Sequence, residues 1–176
     1  MADLLIQKGK TFQWAIRLES PTLVYKAISA ITKAGPVAIT ATSHGIVDGW
    51  RVAVRSVQGM RKLNAKNWPL RTIDFHKAAY VSANQITLND VDSSEYDAYT
   101  SGGYLIYRTP VSLASAAARF QVRATADATT TLISATEASG IVVNDTTKTL
   151  TLTITAAVTA ALTASSGVYE FEFEDS

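Results

Sequence analysis

Thr149-Leu150-Thr151-Leu152-Thr153-Ile154-Thr155 alternates polar and apolar residues without a fault. Successive side chains of an extended strand point to opposite faces, so a period of two means one buried face and one wet face. The rhythm returns in Tyr169-Glu170-Phe171-Glu172-Phe173-Glu174, with aromatics inward and carboxylates outward, and in Ala118-Arg119-Phe120-Gln121-Val122-Arg123-Ala124. Between these, Leu132-Ile133 and Ile141-Val142-Val143 flank a polar run. Ala118 to Phe173 thus reads as four strands in succession. Half-buried strands of this kind usually pair antiparallel, and two such sheets packed face to face make a sandwich. Ala156 to Leu162 favours a helical turn, which Ser165-Ser166-Gly167 stops. The fold class is all-β.

Upstream, Leu4-Leu5-Ile6 and the turn Gln7-Lys8-Gly9-Lys10 lead into Thr11–Leu18, where Phe12, Trp14, Ile16 and Leu18 share one face. From about Leu23 to Arg108 the chain has its own organisation. Short strands are predicted over Lys26–Thr32 and Pro36–Thr42, and Trp50–Arg55 alternates again. Tyr80-Val81 and Gln85–Leu88 flank Ser82-Ala83-Asn84 as a hairpin would, and Tyr104–Tyr107 closes the segment after the polar loop Asp90–Gly103. Turn-rich stretches at Ser43–Gly49 and Gly59–Asn64 complete the pattern of a small β-barrel or sandwich.

With 176 residues the chain has room for one large domain or two small ones and a proper core. It has no cysteine, which removes disulfides, thiol nucleophiles and cysteine metal sites together. Sixteen Lys and Arg against fifteen Asp and Glu leave a net charge of +1, without the basic excess of a nucleic-acid binder. No apolar run reaches the length of a transmembrane helix, and Met1–Ile6 has no basic leader. A soluble protein without an export signal, touching neither nucleic acid nor membrane, is expected.

The search for chemistry returns little. His44 beside Ser43 is read as a turn-stabilising histidine rather than a base, because sequence neighbours seldom form that geometry and no Gly-x-Ser-x-Gly elbow occurs. His76 has no second histidine one turn on, which excludes a zincin-type site. Asp90, Asp92 and Ser94 mimic the start of a calcium loop, but Glu95 stands where glycine is needed and Ser101 where glutamate is needed. The stretch Asp90–Asp97 therefore reads as a solvated loop. Glu170, Glu172 and Glu174 lie on one face of one strand, which is how an exposed edge stays soluble, not how two acids flank a glycosidic bond. Trp50, Trp68, Tyr96, Tyr99 and Tyr104 are the candidate interaction surface, read as a place for sugars to stack, against the alternative that they fill the core. No catalytic residue, cofactor or metal site is assigned.

Four stretches carry a resemblance: Ala118–Arg123, Thr149–Ile154, the Thr-Ala-Ala-Leu of 159–162, and Gly167–Phe173. They are similar to the immunoglobulin-like domain of bacteriophage baseplate upper proteins and related tail or fibre proteins. Gly9-Lys10-Thr11-Phe12 resembles that family's Gly-Asp-Thr-Phe opening. The family's Pro-x-x-Leu turn, which follows the first strand within a few residues, appears here only at Pro110-Val111-Ser112-Leu113. The resemblance therefore implies an immunoglobulin-like sandwich of 1–23 and 108–176, with a small β-barrel or sandwich of 24–107 inserted after its first strand. His44-Gly45-Ile46, Asp48-Gly49-x-Arg51-Val52, Gly59-Met60, Leu63-Asn64, Ile86-Thr87-Leu88, Asp92-Ser93-Ser94 and Tyr99–Gly103 in the insert resemble a pattern of phage tail proteins. That pattern is similar in fold alone to the first catalytic-cysteine half-domain of ubiquitin-activating enzymes. By resemblance, the chain is expected to be a non-enzymatic structural part of a phage virion, of the tail, baseplate or fibre-attachment region. It would be assembled in the host cytoplasm in multiple copies and dock onto other virion proteins. A capsid decoration protein and a receptor- or glycan-binding module are the alternatives.

Overall fold

The computed structural model describes residues 3–175. In chain order its strands are β1 (Phe12–Ile16), β2 (Glu19–Ala27), β3 (Ala30–Ile31), β4 (Val37–Thr40), β5 (Arg51–Arg55), β6 (His76–Ser82) and β7 (Gln85–Leu88). There follow β8 (Tyr104–Pro110), β9 (Ala116–Arg123), β10 (Thr131–Thr136), β11 (Ile141–Asn144), β12 (Thr149–Ile154), the short helix α1 (Ala156–Ala160) and β13 (Val168–Asp175). The protein is all-β, and the strand pairs whose register is resolved are antiparallel. The chain divides into two compact units, one formed by the residues up to Leu18 with those from Pro110 onward, the other Glu19–Thr109. The division falls at Glu19 rather than near Leu23 because residues 19–23 belong to a single strand, β2, that hydrogen-bonds to β8.

The first unit holds two three-stranded sheets, ordered β1-β12-β11 and β10-β9-β13. Alternation decides what each strand buries. Leu150, Leu152 and Ile154 of β12 and Phe120 of β9 are buried in one core, with Phe12, Trp14, Ile16 and the aromatics of β13 packed against it. Trp14, from one sheet, meets Tyr169 and Phe171, from the other, edge to face at 6.2 Å. Such pairs add about 0.5–1.5 kcal/mol to the area they bury, and here they fasten two sheets face to face as a sandwich. The stretch expected to be four strands is five, and the two least regular segments part company. β10 pairs with β9, while β11 pairs with β12 in the opposite sheet. A tight turn, in which Thr136 and Ser139 exchange backbone hydrogen bonds, carries the chain across. The apolar runs of the two segments, Leu132-Ile133 and Ile141-Val142-Val143, are too short to display a period, and nothing in them marks the crossover.

Side chains tie down the connections. Asp145 accepts hydrogen bonds from Leu113 N at 2.6 Å and Lys148 Nζ at 2.6 Å, joining the Pro110–Leu113 turn to the β11–β12 hairpin. The buried Thr159 of α1 donates its hydroxyl toward Lys10 O, 2.8 Å away, and Ala156 O, 3.1 Å away.

The second unit is one seven-stranded sheet in the order β2-β8-β5-β6-β7-β4-β3. Laid flat, its rims would stand six strand spacings apart, about 29 Å. Yet β2 and β3 are separated only by Ile28 and Ser29, and three links of chain reach about 11 Å at most. The sheet must therefore curl until its rims meet. The closing bonds are visible: Ile28 N donates to Gly103 O, before β8, and the next residue, Ser29, donates from its N–H to Thr40 O on β4. The result is a small barrel around a single core containing Trp50, Val52, Val54, Ile39, Met60, Ile86, Leu88 and Leu105.

Candidate interaction surface

Parity along three neighbouring barrel strands separates an inner from an outer face. Val52 and Val54 of β5 and Leu105 and Tyr107 of β8 are buried in the core, and Val24 of β2 packs against it. The alternate residues, Leu23 and Tyr25, Arg51, Ala53 and Arg55, and Tyr104, Ile106 and Arg108, therefore lie on the outer face. Ala53 and Ile106 are nevertheless buried there and belong to neither core. The segment Trp68–Phe75 lies over this face: Arg55 stacks on the Trp68 ring at 4.2 Å and Arg51 on the Phe75 ring at 5.0 Å. Between segment and strands runs a groove of about 290 Å³, bounded by Leu23, Arg51 and Arg108 on one side and Trp68, Leu70 and Phe75 on the other.

One carboxylate holds the segment in place. Asp74, buried, accepts hydrogen bonds from the backbone N–H groups of Arg71 (2.8 Å), Lys66 (3.0 Å) and Asn67 (3.3 Å) and from Asn67 Nδ2 (3.1 Å). These bonds, the Arg71 N–H first among them, hold its carboxyl below the usual carboxylate range. The Trp68–Pro69 bond within the bracket is cis.

The arginines of this face differ in what they have left to give. Glu19 grips Arg51 through both oxygens, at 2.6 and 2.5 Å, and makes that guanidinium harder still to deprotonate. Arg108 donates to the carbonyls of Ser20 and Pro21, and Arg55 rests on Trp68. Neither Arg55 nor Arg108 pairs with a carboxylate among the described residues.

Of the five aromatics assigned to an interaction surface, Trp68 and Tyr104 are exposed, at 54% and 46%. Trp50 is not a surface residue. It is fully buried, shares the inward parity of Val52 and Val54, and donates its indole N–H to Arg108 O at 2.8 Å. Tyr96 and Tyr99 pack partly against the core, and the Tyr99 hydroxyl turns inward toward Ile28 O and Gly102 O. Both rings serve mainly to hold the Asp90–Gly103 loop. Two members of the outer face escaped the sequence reading. Tyr25, 48% exposed, meets Tyr104 edge to face at 6.2 Å, and Arg55 sits directly opposite Tyr104 in strand register. The parity of β5 was the available signal for Arg55. Side by side, the exposed row runs Tyr25, Tyr104, Arg55, Trp68.

Elsewhere the polar residues serve the fold. His44 is buried; its Nδ1 accepts from Ile46 N at 2.9 Å, so its Nε2 carries the proton donated to Ser82 O at 2.8 Å. The Tyr107 hydroxyl donates to the His44 carbonyl, and burial raises that phenol's pKa. Asp92 accepts from the hydroxyl and backbone N–H of Ser94, while Asp90 contacts His76 at 2.7 Å. Of the would-be calcium oxygens, those of Asp92 and Ser94 thus bond to each other and that of Asp90 to His76. Among the described residues, no three His, Asp or Glu side chains are grouped to hold a metal ion, and no helix is long and apolar enough to cross a membrane. No family model and no curated protein matches this chain.

Proposed function

We propose that the chain is a non-enzymatic structural component of a bacteriophage virion, of the tail, baseplate or fibre-attachment region, acting by docking onto neighbouring virion proteins in a symmetric, many-copy assembly. The observation that carries this reading is the placement of the four family-like stretches. They fall on β9, β12, α1 with the residues just after it, and β13, the elements that build the sandwich. One of its two longest strands, β13, lies at a sheet rim. A rim strand of eight residues offers unpaired backbone donors and acceptors to a partner strand, the usual mode of β-addition. Of the carboxylates along it, Glu172 and Glu170 pair with Arg119 and Arg123 of β9, and Glu174 adds a negative charge that disfavours pairing of β13 with a second β13.

The test is gold-labelled antibody against the chain on intact particles purified from its source. Label at the tail or its fibres is the expected result. Label over the head would replace this reading with capsid decoration, and particles that lack the protein altogether would end both.

A further inference from the structure

We infer that the outer face of β2, β8 and β5 binds a carboxylate-bearing oligosaccharide. The row Tyr25, Tyr104, Arg55, Trp68 combines the two chemistries such a ligand requires. Aromatic rings offer flat apolar faces to the C–H faces of sugar rings. A guanidinium fork offers parallel N–H donors to a carboxylate. Three of the four side chains stand on paired strands, and the fourth, Trp68, sits on the segment bracketed by buried Asp74. The platform is therefore ordered before any ligand arrives, which spares the entropy cost of assembling it.

The arrangement also selects a negative ligand. Arg55 holds its guanidinium carbon 4.2 Å over the Trp68 ring and pairs with no carboxylate among the described residues, so its charge is left for a ligand. Arg51, at the other end of β5, is already neutralised by Glu19. Arg108, on the same side of the groove as Arg51, donates to backbone carbonyls and pairs with no carboxylate among the described residues. Neighbouring positions across a sheet are about 5 Å apart, so the row extends over the length of a short oligosaccharide rather than one sugar. A net charge of +1 gives no backbone-tracking excess for a nucleic acid. A protein hot spot would centre on an open apolar patch, whereas Ala53 and Ile106, the apolar centre of this face, are covered.

This inference is independent of the virion reading, and either stands if the other falls. The experiment titrates the full chain with sialyllactose and with galacturonic acid trimer, each beside a neutral counterpart, lactose and the trimer methyl ester. The indole N–H resonances are followed, with Trp14 of the sandwich as the internal control. An acidic probe is expected to move the Trp68 signal and saturate at roughly millimolar concentration or below, with its neutral form weaker by about tenfold or more. Which of the two acids binds distinguishes a sialylated surface from a uronate polymer. Trp68→Ala and Arg55→Gln should each cost about tenfold or more in affinity with the melting temperature unchanged, and Arg55→Lys should restore part of the Arg55 loss. Should Trp68→Ala fail to fold, Arg55→Gln and the neutral probes carry the test. No shift with either acid, equal binding of the neutral forms, or binding indifferent to both substitutions overturns the inference.

Discussion

In the sandwich, β13 lies at the rim of its sheet with one side unpaired, whereas in the barrel the rim strands β2 and β3 are successive in the chain and closed through Ile28 and Ser29. A rim strand can gain a partner strand through its backbone, whereas the candidate surface of the barrel works through side chains. The two units accordingly present different surfaces. The sandwich offers backbone along an edge marked with carboxylates, and the barrel offers a row of rings and guanidinium groups on a covered outer face. The contrast extends inward, because each unit is built on its own core cluster.

Separate cores make the strongest prediction. Phe120→Ala and Trp50→Ala, both at fully buried sites, should each cost about 3–5 kcal/mol. Scanning calorimetry should show each change lowering one transition and sparing the other. A common shift would mean that the two units unfold as one. Next comes Gly59 in the barrel, at φ +76°, where an added Cβ would lie 2.0 Å from Ala98 O. Gly59→Ala should cost roughly 1–3 kcal/mol from the backbone conformation alone, more with the clash, again in the barrel's transition only. Tyr107→Phe removes the donor to the His44 carbonyl and should cost about 1–2 kcal/mol there. A double change with a His44 variant should then be less than additive, since both disturb one turn.

Acid sharpens the comparison at lower amplitude. In each unit a carboxylate organises a connection, Asp74 in the barrel and Asp145 in the sandwich. Asp74 is lowered chiefly by the Arg71 N–H, and Asp145 chiefly by Lys148. A lowered carboxyl contributes stability above the ordinary value near 4 and loses it as pH falls through the lowered one. Amide protection at Asn67 and Arg71, and at Leu113, should therefore decline only on acidification below about pH 4. Asp74→Asn and Asp145→Asn should each reproduce the local effect at neutral pH. The smallest effect belongs to Glu172→Gln, which breaks an exposed pair with Arg119 on β13 and should leave melting unchanged within error. A large loss would show that the rim is held by charge rather than by Tyr169, Phe171 and Phe173.

What the sequence revealed followed from periodicity, and what it hid lay where periodicity stops. Thr149–Ile154, Ala118–Arg123 and Tyr169–Glu174 alternate over enough residues to fix both strand and inward face, and the structure makes all three strands and puts Leu150, Leu152, Ile154 and Phe120 in the core, though Thr149 is buried as well. The same parity places Trp50 inward with Val52 and Val54 and puts Arg51 and Arg55 outside. Selecting aromatics by type rather than by parity misplaced Trp50 and overlooked Arg55. Strand β2 begins with Glu19-Ser20-Pro21, a start with no β-branched or aromatic residue, and pairs because β8 lies alongside. Tyr25 was lost with it. Tyr96 and Tyr99 sit in a loop without a period, where only tertiary packing decides which way a ring turns. The Asp74 bracket is likewise beyond sequence reading, since its donors are mainly backbone N–H groups that every residue except proline has.

The barrel's first and last strands, β2 and β8, are neighbours in the sheet, with Arg108 reaching the carbonyls of Ser20 and Pro21 where the chain comes in and goes out. Tension applied at Glu19 and Thr109 would consequently load the β2–β8 hydrogen bonds one at a time, like a zipper, and not all together in shear. Mechanically this is the soft direction. Under stress the barrel would peel from that seam, releasing the Arg108 contacts with Ser20 and Pro21 first, then the inward-facing Tyr107 and Leu105. The Tyr25–Tyr104 contact at the far end of β2 and β8 would go last, so that outer pair would outlast the opening of the core beside it.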